Sequence, residues 1–176
     1  MKKIFMTLAA AFVAVSMNAQ MYVGGGVGFQ SVSHDGNSET AFTLLPEVGY
    51  NLDENMSLGM VFGYGEKGKD ENKIKVFTIN PYLRYNLVKF DNVSLFVDGG
   101  FDFTNTKYHA YKNNTWGLGV KPGVAVNLNE KISFVAHMGF LGYRSSKDDT
   151  DGAKAYNTVG LALDGTDLSF GFYYNF

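Results

Sequence analysis

The 176-residue chain has no cysteine, only three prolines and a single tryptophan. Without cysteine it can hold no disulfide framework, thiolate metal site or cysteine nucleophile. Fifteen basic residues against 17 acidic ones give a formal net charge of −2, which argues against a nucleic-acid partner. Glycine and aromatic residues are abundant instead, with 21 Gly, 15 Phe and 11 Tyr, and this composition is typical of a β-rich chain.

The first twenty residues have the layout of a secretory signal peptide. Lys2 and Lys3 precede an apolar run of about a dozen residues, and small and polar residues follow it. The apolar run is too short for a membrane-spanning helix, which needs about twenty residues. We therefore predict a signal peptide for Sec-dependent export over residues 1–19, cleaved after Ala19, and one mature domain over residues 20–176.

Period-two alternation of apolar and small or polar residues dominates the mature chain. Along residues 76–86, for example, Phe77, Ile79 and Leu83 share one face, whereas Thr78 and Arg84 lie on the other. The charges in the middle of the predicted strands all fall on the small, polar face. An Arg or Lys facing lipid near the bilayer midplane would cost roughly 2–4 kcal/mol, so the charged face belongs inside a barrel whose apolar face meets lipid.

The connections between the alternating segments support the same architecture. Long polar segments alternate with short turns built on "NLDEN", "NLVKFDN" and "NLNEK", and this asymmetry is typical of transmembrane β-barrels. We predict an all-β fold, an eight-stranded antiparallel transmembrane barrel. Residues 156–176 are interpreted as one kinked last strand, in which a bulge of one extra residue at 164–167 explains the change of apolar phase.

Three of the predicted strands contain a proline, each five residues before an asparagine. Pro46, Pro81 and Pro122 all lie on the apolar face of strands that run towards the short turns. Proline has no N–H to donate to a sheet ladder. We therefore expect a local bulge or an unpaired carbonyl at a common height in the barrel.

The pattern resembles the small outer-membrane β-barrel family of OmpA and OmpX type, and the resemblance covers essentially all of residues 21–176. It rests on the signal peptide, the eight strands with asymmetric connections and the ending "LSFGFYYNF". In that family, a terminal Phe preceded by apolar residues at alternate positions is the signal for the barrel-assembly machinery. The resemblance implies this role for Leu168, Phe170, Phe172, Tyr174 and Phe176, and a location in the outer membrane of a Gram-negative bacterium.

Six titratable side chains are predicted to face the barrel interior. An eight-stranded barrel leaves room for little more than side chains, and unpaired charges there would cost several kcal/mol each. We therefore expect a salt-bridged plug, with a gated ion path through the same residues as the alternative. The predicted lumen charge cluster consists of Glu47, Arg84, Asp98, Asp102, Lys121 and His137, of which His137 is expected to be a hydrogen-bonded filler.

The predicted function is structural or surface-interactive: envelope integrity, adhesion or ligand binding through loops near 31–39, 65–73, 105–114 and 144–158. No catalytic residue, cofactor or metal site is predicted, and the protein is expected to be a monomer. Expected partners are outer-membrane lipids, with Lys73 and Lys75 near lipopolysaccharide phosphates, the assembly machinery and an extracellular ligand. The alternatives are a lipid A-modifying enzyme that uses His34 or His137 and a narrow channel.

Overall fold

The computed structural model describes residues 20–34, 37–68, 73–109, 111–150, 152–162 and 169–176, except for the side chains of 29–34, 37–40 and 162. The predicted signal peptide, Leu168 and the predicted bulge at 164–167 lie outside the described residues. Within the described ranges, no helix is long and apolar enough to cross a bilayer.

Ten β-strands form the structure, and most contain the alternating segments of the sequence. In chain order they are β1 Met21–His34, β2 Asn37–Asn51, β3 Met56–Lys67, β4 Ile74–Lys89, β5 Val93–Tyr108, β6 Tyr111–Asn127, β7 Ile132–His137, β8 Phe140–Asp148, β9 Tyr156–Ala162 and β10 Ser169–Asn175.

The ten strands make eight membrane spans in one closed antiparallel barrel. Strands β1 to β6 pair in sequence order, β6 pairs with both β7 and β8, and β10 pairs with β7 and β1. Strand β9 continues the wall beside β8. Therefore β7 and β8 are the periplasmic and extracellular parts of the seventh span, and β10 and β9 are those of the eighth. The prediction of eight spans is confirmed.

The two faces of the wall have the polarity that the sequence predicts. Large apolar side chains such as Leu58, Phe62 and Leu118 are exposed on the outside, where lipid takes the place of water. Glu47, Arg84 and Asp98 are buried, although they lie in the middle of strands. The barrel is thus polar inside and apolar outside, as membrane insertion requires.

The strand ladder is interrupted beside each proline, but the register is kept across Pro46 and Pro81, and the carbonyl of Pro122 accepts a hydrogen bond from the Met138 N–H. The β2–β3 pairing omits Leu45 and Pro46, and the β4–β5 pairing omits Asn80 and Pro81. Beside Pro122, the partner strand is broken between β7 and β8. All three interruptions occur on the side of the following strand, so each missing N–H weakens one seam of the wall at a similar height.

Alternation along residues 132–140 puts Phe140 on the same apolar face as Ile132 and Phe134 and so predicts that it faces lipid. The break beside Pro122 overturns this prediction. Met138 and Gly139 separate β7 from β8, and Gly139 has a φ of 74°, which favours glycine. One extra residue in this strand relative to β6 reverses the inside–outside alternation beyond it. Phe140 consequently points into the barrel and is only 3% exposed.

The two described parts of the last span pair with the two parts of the seventh span. Ala136 is opposite Phe170, and Leu141 is opposite Leu161.

Aromatic rings fill the periplasmic half of the barrel interior, and each lies over a glycine of the neighbouring strand. A Cβ atom at any of these glycines would overlap the ring. The directly opposed pairs are Tyr22 with Gly49, Tyr82 with Gly59, Phe96 with Gly123, and Tyr173 with Gly24. The interior glycines thus create the space that lets large rings close a narrow barrel.

Candidate functional site

Arg84 is the centre of a buried charge cluster in the lumen. Its Nε donates to Asp98 Oδ1 and its Nη2 to Asp98 Oδ2, both at 2.8 Å. This bidentate salt bridge joins neighbouring strands, since Arg84 and Asp98 are directly opposite in the β4–β5 ladder. Glu47 Oε1 lies 3.6 Å from Arg84 Nη2 and supplies a second carboxylate.

His137 completes the cluster from the seventh span. Its Nε2 lies 2.9 Å from Asp98 Oδ2 and 3.2 Å from Arg84 Nη2. Guanidinium can only donate and an ionised carboxylate can only accept, so the proton on Nε2 decides which contact is a hydrogen bond. The edge of the imidazole ring also packs against Phe96, with ring centroids 5.3 Å apart.

Four aromatic rings surround the Arg84 guanidinium. Its carbon lies 4.0 Å from the ring centroid of Phe96, and 5.2, 5.5 and 5.9 Å from those of Tyr82, Tyr173 and Tyr22. Contacts of this kind contribute about 0.5–2 kcal/mol each, most when water is excluded. The rings therefore provide a favourable environment for a cation that has lost its hydration shell.

The tyrosine hydroxyls tie the second carboxylate into the same cluster. Tyr173 donates to Glu47 Oε2 at 2.6 Å, and Tyr82 donates to Glu47 Oε1. The hydroxyls of Tyr22 and Tyr82 also share a hydrogen bond of 2.6 Å. We call the residues of this cluster the Arg84 plug: Tyr22, Glu47, Tyr82, Arg84, Phe96, Asp98, His137 and Tyr173.

Asp102 and Lys121 form a separate pair on the extracellular side of the plug. Lys121 Nζ lies 2.7 Å from Asp102 Oδ1, which also accepts a hydrogen bond from the Asn80 amide. The Lys121 and Asp102 side chains are 27% and 17% exposed, compared with 7% or less for Arg84 and Asp98. The Asp102–Lys121 pair is accordingly more exposed to solvent than Arg84 and Asp98 in the plug.

Two cavities lie on opposite sides of the plug. The extracellular one has a volume of about 160 Å³, and its walls include Asp102 and Lys121. The periplasmic one has a volume of about 400 Å³ and is lined by the asparagines that end the downward strands: Asn51, Asn86, Asn127 and Asn175. Because plug residues line both cavities, the plug separates the periplasmic vestibule from the upper lumen.

The structure places all six predicted lumen residues inside the barrel but divides them. Four belong to the plug, and Asp102 and Lys121 form the second pair. The predicted lumen cluster did not include Tyr22 and Phe96, whose rings help to enclose the guanidinium. Tyr22 is two residues from Gly24, and Phe96 is two residues from Asp98. Residues two apart on a strand share a face, so the sequence indicated that both rings face inward.

Three residues of the predicted assembly signal lie on the last strand, and Phe176 follows it. Phe170, Phe172 and Tyr174 are exposed on the lipid face, and Phe134 of β7 packs against Phe170 and Phe172 with centroids 5.9 and 5.3 Å away. The ring of Phe176 packs against Tyr174. The last span thus presents an aromatic stripe, and its role in assembly stays a prediction.

Of the two histidines considered for catalysis, the structure describes the side chain of His137 alone. In the described part of the chain, no group of three or more His, Asp or Glu side chains is arranged to hold a metal ion. The His34 side chain, one candidate for catalysis, lies outside the described residues. The other, His137, contacts Asp98 and Arg84 in the plug.

The barrel geometry agrees with a comparison of the sequence with protein families. The family model of the outer membrane protein beta-barrel domain matches residues 4–176. The chain belongs to this family. Its members' location, together with the inside-out polarity of the wall, places the protein in the outer membrane of a Gram-negative bacterium. A comparison with curated proteins gave no match.

Two solved outer-membrane barrels have a similar fold. Neisserial surface protein A (NspA) superimposes with a TM-score of 0.52 at 17% identity, over 89% of this chain and 97% of NspA. OprG from Pseudomonas aeruginosa gives a TM-score of 0.54 at 16% identity, over 89% of this chain and 95% of OprG. At such identities the likeness establishes the fold alone.

Proposed function

We propose that this outer-membrane protein is a non-conducting barrel that anchors its extracellular hairpins, with a structural or surface-interaction role. The observation that carries the proposal is the Arg84 plug. Eight strands enclose an interior only just wide enough for side chains. Four rings, two carboxylates, an imidazole and a guanidinium occupy that interior in mutual contact.

The energetics favour a plug that stays closed. Arg84 is bonded to both oxygens of Asp98, and Glu47 accepts from two tyrosines. Breaking a buried pair so that one charge stays unpaired costs about 3–5 kcal/mol. A gate through this layer would have to disrupt several such contacts at once, so rare opening is expected.

Planar-bilayer recording tests the closed lumen directly. The purified barrel should give no conductance steps, whereas replacing Tyr22 and Tyr173 with Ala should remove the stacked rings at the plug and produce measurable conductance. The matched control replaces Phe42 and Phe62, which lie on the lipid face, with Ala and should remain silent. Steady conductance of the unmodified protein would refute the proposal and favour the narrow channel.

The surface role rests on the long β5–β6 hairpin. Its strands pair continuously from Val93–Val126 to Tyr108–Tyr111, well beyond the lipid-facing pair Phe103–Trp116. A strain lacking the protein would be complemented with the full chain or with a chain lacking residues 105–114. Surface binding and detergent resistance are then measured. If the shortened chain restores detergent resistance but not surface binding, the result supports a recognition role. If it restores both, the result supports a structural role. No defect in either assay without the protein would contradict both.

Catalysis is not part of the proposal. The nearest partners of His137 are a carboxylate and a guanidinium rather than a serine or threonine hydroxyl, which nucleophilic catalysis would require. Mass spectrometry of lipid A from cells with and without the protein tests this point, because a modifying enzyme would change the lipid mass. We further propose that the barrel is a monomer inserted by the barrel-assembly machinery.

A further inference from the structure

Three lysines stand side by side near the extracellular end of the barrel wall. Lys75 of β4 is directly opposite Lys107 of β5, which is directly opposite Lys112 of β6. All three are exposed. Neighbouring strands lie about 4.8 Å apart, so the three backbone positions span only about 10 Å. We call Lys75, Lys107 and Lys112 the lysine row.

The lysine row faces outward, on the same side of the wall as the lipid-facing residues. Lys75 is two positions from Phe77, Lys107 is four from Phe103, and Lys112 is four from Trp116; these aromatic side chains are exposed on the outer face. Four residues of strand extend about 14 Å, or about 10 Å along the membrane normal at the usual tilt. The row therefore lies at the height of lipid head groups, just above the aromatic belt.

The arrangement is electrostatically unfavourable without an anion. Like charges directly opposite each other on neighbouring strands destabilise a sheet. In the part of the chain that the structure describes, no carboxylate lies within ion-pairing distance of Lys75, Lys107 or Lys112. Among the described residues, the two successive like-charged contacts, Lys75–Lys107 and Lys107–Lys112, thus have no ion-paired carboxylate.

The neighbouring charges leave the area positive. Glu66 is opposite Lys75, but its carboxylate is already paired with Lys73 and accepts from Tyr64. At the other end, the backbone N–H of Asp149 donates to the carbonyl of Lys112, so this acidic residue borders the row. Among the residues that the structure describes, Glu66 and Asp149 are outnumbered by the three lysines of the row and Lys73.

We infer that the lysine row binds the phosphate groups of a phosphorylated glycolipid in the outer leaflet. Anionic head groups supply the charge that the row lacks, while the aromatic belt below it contacts the acyl chains of the same molecule. A lipid fits better than a soluble anion because the row lies flat on the outer wall, directly above the lipid-facing belt. This inference depends on the barrel fold and not on the closed lumen.

The test uses the folded full-length barrel in neutral detergent and follows the emission of Trp116, the single tryptophan, which lies below Lys112. The protein is titrated with lipid A that carries its phosphates and with the same lipid after removal of the phosphates. Binding of the phosphorylated form should be tighter by roughly 10-fold or more and should weaken as salt is added. Equal affinity for the two forms would overturn the inference.

The variant K75Q/K107Q/K112Q should lose that preference, whereas K89Q/K131Q, which removes two exposed lysines from the periplasmic end, should keep it within about twofold. All variants must first show the heat-dependent gel shift of the folded barrel. If the triple variant does not fold, K107Q/K112Q in the hairpin replaces it. An equal loss in the periplasmic control, or full competition by inorganic phosphate, would also overturn lipid binding at the row.

Discussion

The two charge groups of the lumen use the same kinds of residues on the same face of the wall, but their surroundings differ. In the Arg84 plug, the guanidinium is enclosed by four aromatic rings, and each carboxylate is bonded to partners from two other strands. Lys121 and Asp102 contact each other and Asn80, Lys121 Nζ lies 5.9 Å from the centroid of the Phe140 ring, and both side chains are more exposed than those of Arg84 and Asp98. The difference shows that enclosure by rings, rather than charge type, separates a structural plug from a solvated ion pair.

The largest effect is expected when the plug loses its cation. Arg84→Met leaves Asp98 and Glu47 without their buried counter-charge, and the free energy of unfolding should fall by about 3–5 kcal/mol. Equilibrium urea unfolding from lipid vesicles measures the change. A loss below about 1 kcal/mol would mean that water compensates the carboxylates and that the plug is as well solvated as the Asp102–Lys121 pair.

An intermediate effect on stability is expected where an aromatic ring occupies the space beside a glycine. Gly49→Ala places a methyl group against the Tyr22 ring, and such overpacking typically costs about 1–3 kcal/mol. The matched control is Gly160→Ala in the extracellular half, where a Cβ would meet nothing within 4 Å. The control should change stability by no more than about 0.5 kcal/mol. Equal losses in the two variants would contradict the inference that the Tyr22 ring depends on the space at Gly49.

The smallest effect is expected at the solvated pair. Lys121→Met removes a partly exposed ion pair and should cost about 1 kcal/mol or less in the same unfolding experiment. The variant should also remain silent in planar bilayers, since the plug below is intact. A loss as large as that of Arg84→Met, or the appearance of conductance, would show that Lys121 is part of the barrier that closes the lumen.

The sequence predicted the barrel because its evidence is local and repeated. Alternation along each strand fixes which residues face lipid, and the short and long connections fix the direction of successive spans. Prediction failed at Phe140, since alternation cannot show an added residue in one strand. The break at Met138 and Gly139 is recognisable only when the register against Gly123 and Val120 is known.

For the candidate site, local alternation predicted the inward direction of the side chains but not their contacts. The side on which Glu47, Arg84 and Asp98 point follows from strand parity, but their partners depend on register between strands and on barrel curvature. The separation of Lys121 from the plug and the ring of Phe96 over the guanidinium are therefore properties of the closed wall. The same holds for the lysine row, whose members are distant along the chain.

By itself, the sequence determined an inside-out barrel of eight spans, since lipid on one side and confined space on the other impose a period of two on every strand. Only the tertiary structure decided which inward charges meet. The contact of Arg84 with His137 joins spans that are 53 residues apart, and barrel closure brings Tyr22 next to Tyr173. These contacts depend on the summed register of all eight spans, which no single strand encodes.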